Sequence, residues 1–283
     1  MRLANSARRL VLVDPESPDR ALDVEAASGG LFSADPQAVY DRWAEFGEWA
    51  TDASLQAAQP INEESLRAVV PRPAQVFAIG LNYRDHAAES GFALPDEPVV
   101  FTKYVSSFTG PTGDITLSPG NVDWEVELVA VIGRHAHHVA EADGWDHIAG
   151  LTIGQDISDR TTQFAAAPPQ FGMGKSYPGY SPVGAHLVTP DEFADRDDIA
   201  LGCEVNDASM QKGSTADLVF TIPQLVAKLS AITPLLPGDV IFTGTPAGVG
   251  VGRDPQQFLH DGDVLTTWID GIGRMRHRFV APA

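Results

Sequence analysis

Three carboxylates in this chain form a set that could hold a hard metal ion. Glu125 and Glu127 open the apolar run Val126 to Ile132. That run reads as a strand, and residues two apart in a strand project to one face. Two like charges held side by side are costly unless a cation neutralises them, although a solvated strand face would also tolerate them. Asp156 weighs toward the metal, because it closes a second apolar strand, Gly150-Leu-Thr-Ile-Gly-Gln-Asp156, at the edge of a polar stretch. With no cysteine or histidine beside them in sequence, the three make an all-oxygen donor set that suits magnesium or manganese rather than zinc. The remaining octahedral positions would be open to water and substrate.

Other groups could work beside such an ion. His86 and Glu89 stand three apart in Asn82-Tyr-Arg-Asp-His86-Ala-Ala-Glu89, so one helical turn would put them on one side. A carboxylate next to an imidazole fixes its tautomer and raises its basicity, as a general base requires, though surface pairs of this kind are common. Gly91, Pro95 and Pro98 follow closely and suggest that the turn belongs to a mobile lid. Lys175 lies between Gly172-Met-Gly174 and Pro178-Gly179, a lone cation able to meet a substrate oxyanion. Arg160 and Gln163, just beyond Asp156, could reach the same pocket, and Tyr83 in the lid motif is a further candidate substrate contact.

Two segments imitate sites. Thr243-Gly-Thr-Pro-Ala-Gly-Val-Gly-Val-Gly252 follows an apolar strand but lacks the Gly-Lys-Ser/Thr ending of a phosphate loop and runs into Arg-Asp-Pro instead of a helix, so nucleotide binding is not expected. His135-Ala-His137-His138 follows a Gly-Arg break and reads as a solvated loop rather than a second metal site.

The elements that must position these groups are mostly strands. With 283 residues, 43% hydrophobic and 20% charged, the chain can bury a sizeable core and is too apolar for disorder. Residues 8 to 27 alternate short apolar runs with Asp-Pro and Ser-Pro turns, a β-rich start. From Pro36 to Ala53, Val39, Tyr40, Trp43, Phe46 and Trp49 recur at helical spacing, which predicts a packing helix. Pro71-Arg72-Pro73 marks a linker, dividing residues 1–72 from 73–283. Beyond it come strands at Gln75 to Ile79, Val99 to Phe101, Glu125 to Gly133, Ile148 to Ile153, Leu187-Val188, Ile199 to Val205, Val240 to Phe242 and Val264 to Ile269, with a helix over Pro223 to Ile232.

Charge and cysteine content exclude several classes. A net charge of -19, with no lysine and arginine cluster, argues against nucleic acid or an anionic membrane as partner. The lone Cys203 sits in an apolar run; it cannot form an intramolecular disulfide and reads as a core residue of a protein in a reducing compartment. The apolar run Leu10 to Val13 ends at Asp14, too short for a signal peptide, and no stretch approaches the ~20 residues of a membrane span. A cytoplasmic location is the expectation.

Taken in order, the motifs resemble the fumarylacetoacetate hydrolase family. They are Ile79-Gly-Leu-Asn-Tyr-Arg-Asp-His86-Ala-Ala-Glu89, Asp123-Trp-Glu-Val-Glu-Leu128, Gly154-Gln-Asp156, Gly174-Lys-Ser176, Leu236-Pro-Gly-Asp-Val-Ile241 with Thr243-Gly-Thr-Pro-Ala-Gly-Val249, and Gly262-Asp263 with Asp270-Gly-Ile-Gly273. The resemblance implies a β-rich α+β fold: a mixed β-roll catalytic domain over residues 73–283, a small N-terminal α/β domain over 1–72, and a homodimer. It also implies one magnesium or manganese ion on Glu125, Glu127 and Asp156. His86 and Glu89 would activate water or move a proton, Lys175 would hold substrate oxygens, and Thr245 would bind a substrate carboxylate. Ser158-Asp-Arg-Thr161 stands where relatives often have Ser-Ala-Arg-Asp, and Asn206 is followed by Asp207 where glycine is frequent, so contacts to the substrate tail differ. The expected reaction is hydrolytic carbon–carbon cleavage of a 2,4-dioxo acid of the acylpyruvate or fumarylpyruvate kind, through a chelated enolate. Isomerisation of a 2-hydroxymuconate-type diene acid and decarboxylation of an oxaloacetate-like acid use the same chelated 2-oxo acid, and a non-catalytic metabolite-binding protein is the alternative from another class.

Overall fold

A computed structural model of the protein describes residues 1–89 and 93–282. In chain order, the strands that bear on the site are β1 (Arg2–Ser6), β2 (Arg9–Val13), β3 (Arg20–Asp23), β4 (Val76–Gly80), β5 (Val99–Phe101), β6 (Thr112–Thr116) and β7 (Val126–Ile132). They continue as β8 (Ile148–Gln155), β9 (Ser181–Val188), β10 (Ala200–Val205), β11 (Ala208–Ser214), β12 (Val240–Phe242), β13 (Val264–Ile269) and β14 (Gly273–Val280). The helices around it are α1 (Trp43–Asp52), α2 (Arg84–Glu89), α3 (Arg160–Gln163), α4 (Phe171–Gly174) and α5 (Ile222–Ser230).

The fold is α+β and strand-rich, as expected. The main sheet runs β3-β2-β1-β9-β8-β7-β12-β4-β5 and the second β11-β10-β13-β14-β6. Residues 1–72 are tied into the main sheet, since β1 pairs antiparallel with β9, Arg2 opposite Val188. They share a core cluster with the strands that follow: Phe46 and Val39 belong to the same buried group as Val76, Val129 and Val240. The even-numbered residues of β7, Val126 to Ile132, pack on the opposite side with Leu201, Leu265 and Phe279 of the second sheet. Thus β7 is buried on both faces, which explains the unbroken apolar run Leu128 to Ile132.

Some elements differ in extent from the sequence reading. The helix anticipated from Pro36 starts as a 3-10 turn at Tyr40–Arg42, and α1 begins only at Trp43, because Arg42 leaves helical geometry at φ -130. The aromatic stripe still packs as anticipated, with Phe46 ringed by Phe32, Trp43 and Trp49 at 5.3 to 5.8 Å between centroids. Leu187-Val188 is the tail of an eight-residue strand. β14, which the sequence reading passed over, alternates exposed Arg274, Arg276 and Arg278 with buried Met275, His277 and Phe279, a two-residue period hidden by its charge.

The antiparallel pairing of β7 with β8 places the acidic residues. Val126 lies opposite Gln155 and Glu127 opposite Gly154, so Asp156, one step beyond β8, arrives beside Glu125. The Asp156 amide donates to the Glu125 carbonyl at 2.9 Å. Gly154 makes the register possible, since a Cβ there would lie 2.5 Å from a Val129 methyl and 2.7 Å from the Phe242 ring. Gly154→Ala should therefore destabilise the fold by about 1–3 kcal/mol through overpacking, read as a lower urea midpoint. An unchanged midpoint would mean that β8 does not pack this closely.

Candidate metal centre

Glu125, Glu127 and Asp156 are all buried, and their oxygens include a set lying within 4.8 Å of one another. Oxygens on one magnesium-sized ion at ~2.1 Å are at most ~4.2 Å apart, so a slight inward turn of these side chains closes the set. No other such cluster occurs among the described residues, and the histidines at 135, 137 and 138 are exposed. The hard oxygen donors and their burial fit a divalent cation.

Three basic side chains share the pocket with these acids. Lys175 Nζ donates to Glu125 Oε2 at 2.8 Å and to Asp156 Oδ2 at 2.5 Å. Arg160 reaches Asp123 Oδ2 at 2.8 Å through Nε and stands 2.7 Å from Glu125 Oε1, while its Nη1 donates to Gln163 Oε1 at 2.9 Å. Lys103, fully buried, donates to Asp156 and to the carbonyls of Lys175 and Tyr180. Burial disfavours ionised Glu125, but the charges of Lys175 and Arg160 outweigh it and hold its carboxyl down at about 2. Glu127 goes the other way. Burial, then repulsion from Asp156 and Glu125, lifts it well above the ordinary carboxylate range. Burial, reinforced by Lys175, also draws Lys103 below a usual lysine despite Asp156, whereas Asp156 and Glu125 raise Lys175 against its burial.

α3 and α4 deliver Lys175. They touch so closely that a Cβ on Gly174 would sit 2.7 Å from the Gln163 amide nitrogen, and Lys175 follows directly. The glycine-rich loop after β12 does bind anions, but they are the chain's own. Gly244, at φ +100, donates its N–H to Glu127 Oε2 at 2.8 Å, and the Gly248 N–H lies 3.1 Å from both Glu89 oxygens. Gly250 and Val251 donate to the two Asp123 oxygens at 2.7 and 2.9 Å.

These groups form the floor of a cavity of about 370 Å³ whose lining includes His86, Glu125, Glu127, Arg160, Gln163, Lys175 and Thr245. His86 Nδ1 is 3.4 Å from Glu89 Oε2 on α2. Although burial opposes it, the His86 contact and the Gly248 amide keep the Glu89 carboxyl below its usual range. Thr245 Oγ1 accepts a 2.7 Å hydrogen bond from Gln211, whose Oε1 in turn accepts from the Val126 amide. Tyr83 is not brought to the cavity wall. It lies fully buried in the core between the sheets, its hydroxyl unpaired and pushed up by burial and then by the Glu127 charge. Gly91 of the anticipated lid lies outside the described residues. Lys103, Asp123 and Gln211 were missed from sequence. Lys103 alone left a trace, as one of only four lysines in the chain and set directly behind an apolar strand.

The family profile for the fumarylacetoacetate (FAA) hydrolase C-terminal domain matches residues 75–280. The chain belongs to this family of enzymes. It is 40% identical over 223 residues, 78% of this chain and 71% of the relative, to a human protein named oxaloacetate tautomerase FAHD2A, mitochondrial. A solved structure from Mycobacterium smegmatis, named provisionally as an HpcE protein, superposes with a TM-score of 0.96 at 48% identity and full coverage of both chains. Maleylpyruvate hydrolase from Sphingobium sp. SYK-6, crystallised with manganese(II) and pyruvate, superposes at 0.81 with 30% identity, again over both whole chains. No helix among the described residues is long and apolar enough to cross a membrane.

Calorimetric titration with Mn²⁺ should show one ion per chain. Since the ion needs Glu127 ionised and burial and the neighbouring acids raise its pKa, affinity should rise with pH as Glu127 ionises and then level off. Glu127→Ala should flatten this dependence and weaken binding by at least the ~10–100-fold typical of lesser outer-shell losses; unchanged affinity would remove Glu127 from the site.

Proposed function

We propose that this chain is a divalent-cation-dependent hydrolase that splits the bond between carbons 3 and 4 of a 2,4-dioxo acid, releasing pyruvate and a carboxylic acid. The observation that carries this reading is one cavity lined by Glu125, Glu127 and Lys175, with Asp156 clustered beside the two glutamates, and by His86, which is paired with Glu89. Magnesium or manganese, held by Glu125, Glu127 and Asp156, would supply positive charge to the substrate's carboxylate and 2-oxo oxygen, where negative charge develops.

The chain's own groups would do the rest. Lys175, paired with two of the acids, offers a further donor to the 2-oxo oxygen. Thr245 has its hydroxyl hydrogen free to meet the substrate carboxylate, because Gln211 already donates to its oxygen. His86, oriented by Glu89, takes a proton from water, and the hydroxide attacks the 4-carbonyl carbon. The bond between carbons 3 and 4 then breaks, its electron pair passing to the pyruvate fragment as an enolate. His86 returns the proton to carbon 3.

A second reading is favoured by the relative named oxaloacetate tautomerase: the same pair would move a proton at carbon 3 with no carbon–carbon bond broken. Isomerisation of a hydroxymuconate-type acid and decarboxylation of oxaloacetate would draw on the same residues. We also propose a homodimer, testable by sedimentation, and a cytoplasmic location, supported by the buried lone Cys203; the mitochondrial relative makes fractionation the deciding test.

The reaction is tested by product analysis from an acylpyruvate, oxaloacetate and a hydroxymuconate-type acid, with and without Mg²⁺. Magnesium-dependent release of pyruvate from the acylpyruvate is expected, and rapid isomerisation beside an inert acylpyruvate would sink the hydrolase. His86→Ala should bind Mn²⁺ as the native chain does yet lose roughly 10²–10⁴-fold in cleavage rate. Unchanged turnover would refute its role as base.

A further inference from the structure

We infer that the substrate carries a single carboxylate, and that its tail beyond the 4-carbonyl is uncharged and apolar. This rests on the reading above, that a 2-oxo acid is chelated at the trio.

Formal charge on the cavity floor leads to this conclusion. Lys103, Lys175 and Arg160 are ion-paired with Asp123, Glu125 and Asp156, and Glu127 adjoins that set without a cation of its own, three cations against four carboxylates. A divalent ion turns that deficit into one unit of positive charge, which one substrate carboxylate cancels. A second carboxylate would be buried without a partner, at a cost that sites of low dielectric make severe. Loss of the Lys103 proton, or inclusion of Glu89, only tips the pocket further negative.

Among the described residues, no cation stands in the outer wall. It is built by Val99, Phe101, Phe164, Pro169, Phe171 and Val251, with Phe101 and Phe171 edge to face at 5.5 Å. Residues 161 to 174 contain no charged side chain, and residues 87 to 101 contain no lysine, arginine or histidine but do contain Glu89, Asp96 and Glu97. The Arg160 donors are turned to Asp123, Glu125 and Gln163, and His86 faces Glu89. A volume of about 370 Å³ leaves space beyond a pyruvate unit, and that space has hydrocarbon walls.

The test is binding to the native, Mg²⁺-loaded chain by calorimetry, comparing 2-oxohexanoate with 2-oxoadipate, acids of equal length that differ in the terminal group, and using pyruvate as the reference. The monoacid should bind at least ten-fold more tightly than the diacid. Val99→Lys, at an exposed edge position of the wall, should shrink or reverse that preference, and a preference left unchanged would count against the role of wall charge. Equal or tighter binding of 2-oxoadipate alongside normal pyruvate binding would overturn the inference and leave the chelation reading standing. Failure of all three acids to bind would overturn both. A matched pair of 2,4-dioxo acids, one ending in methyl and one in carboxylate, should show the same order in kcat/KM.

Discussion

Asp123, Glu125, Glu127 and Asp156 press four carboxylates into a space that water barely reaches, and their mutual repulsion has to be met on the spot. Much of the surrounding fold does this. α3 brings Arg160, the segment after α4 brings Lys175, the segment after β5 brings Lys103, and the loop after β12 turns four backbone amides onto Glu127, Glu89 and Asp123. Buried ion pairs add little net stability once desolvation is counted, but removing one partner of such a pair is strongly destabilising. The cluster is therefore tightly interdependent, and its geometry serves chemistry more than stability.

The arrangement also divides labour among like groups. Glu125, flanked by Lys175 and Arg160, is held toward its ionised form, whereas Glu127, facing the other acids with one backbone amide for support, is pushed toward its protonated form. A proton on Glu127 and a divalent cation beside it answer the same electrostatic problem, so loading the ion and ionising Glu127 are one linked event. The two lysines diverge for the same reason. Lys175 touches two carboxylates, while Lys103 touches one and feels the Lys175 charge.

Much of this was legible in the sequence where a local rule applied. The two-residue period put Glu125 and Glu127 together, the apolar run ending at Asp156 made a neighbouring strand plausible, and the ordered motifs brought in His86, Glu89 and Lys175. What remained hidden depends on contacts between distant segments. Lys103 lies 53 residues from Asp156, and its place behind an apolar strand says nothing of which acid it meets. Gln211 acts across 85 residues on the Val126 amide. Tyr83 has the polar tip of a substrate contact, yet it turned inward because its segment packs between the sheets. The glycine-rich loop resembled an anion cradle without being a nucleotide loop, and only the fold reveals that its anions are side chains of the same protein.

The pairing of β1 with β9 bears on how the chain comes into being on the ribosome. β1 pairs with β2 along one edge, and on the other Leu66–Arg67 covers Asn5 and Ser6, but the strand that covers Arg2 and Leu3 begins only at Ser181. At translation speeds of roughly 5–20 residues per second, the wait for that strand is on the order of 10–40 s. Throughout it, the nascent chain displays an open, apolar strand edge of the kind that invites mispairing. Vectorial synthesis thus makes Arg2 and Leu3 wait for neighbours made long after them, and this stretch of β1 is where a holding chaperone would act.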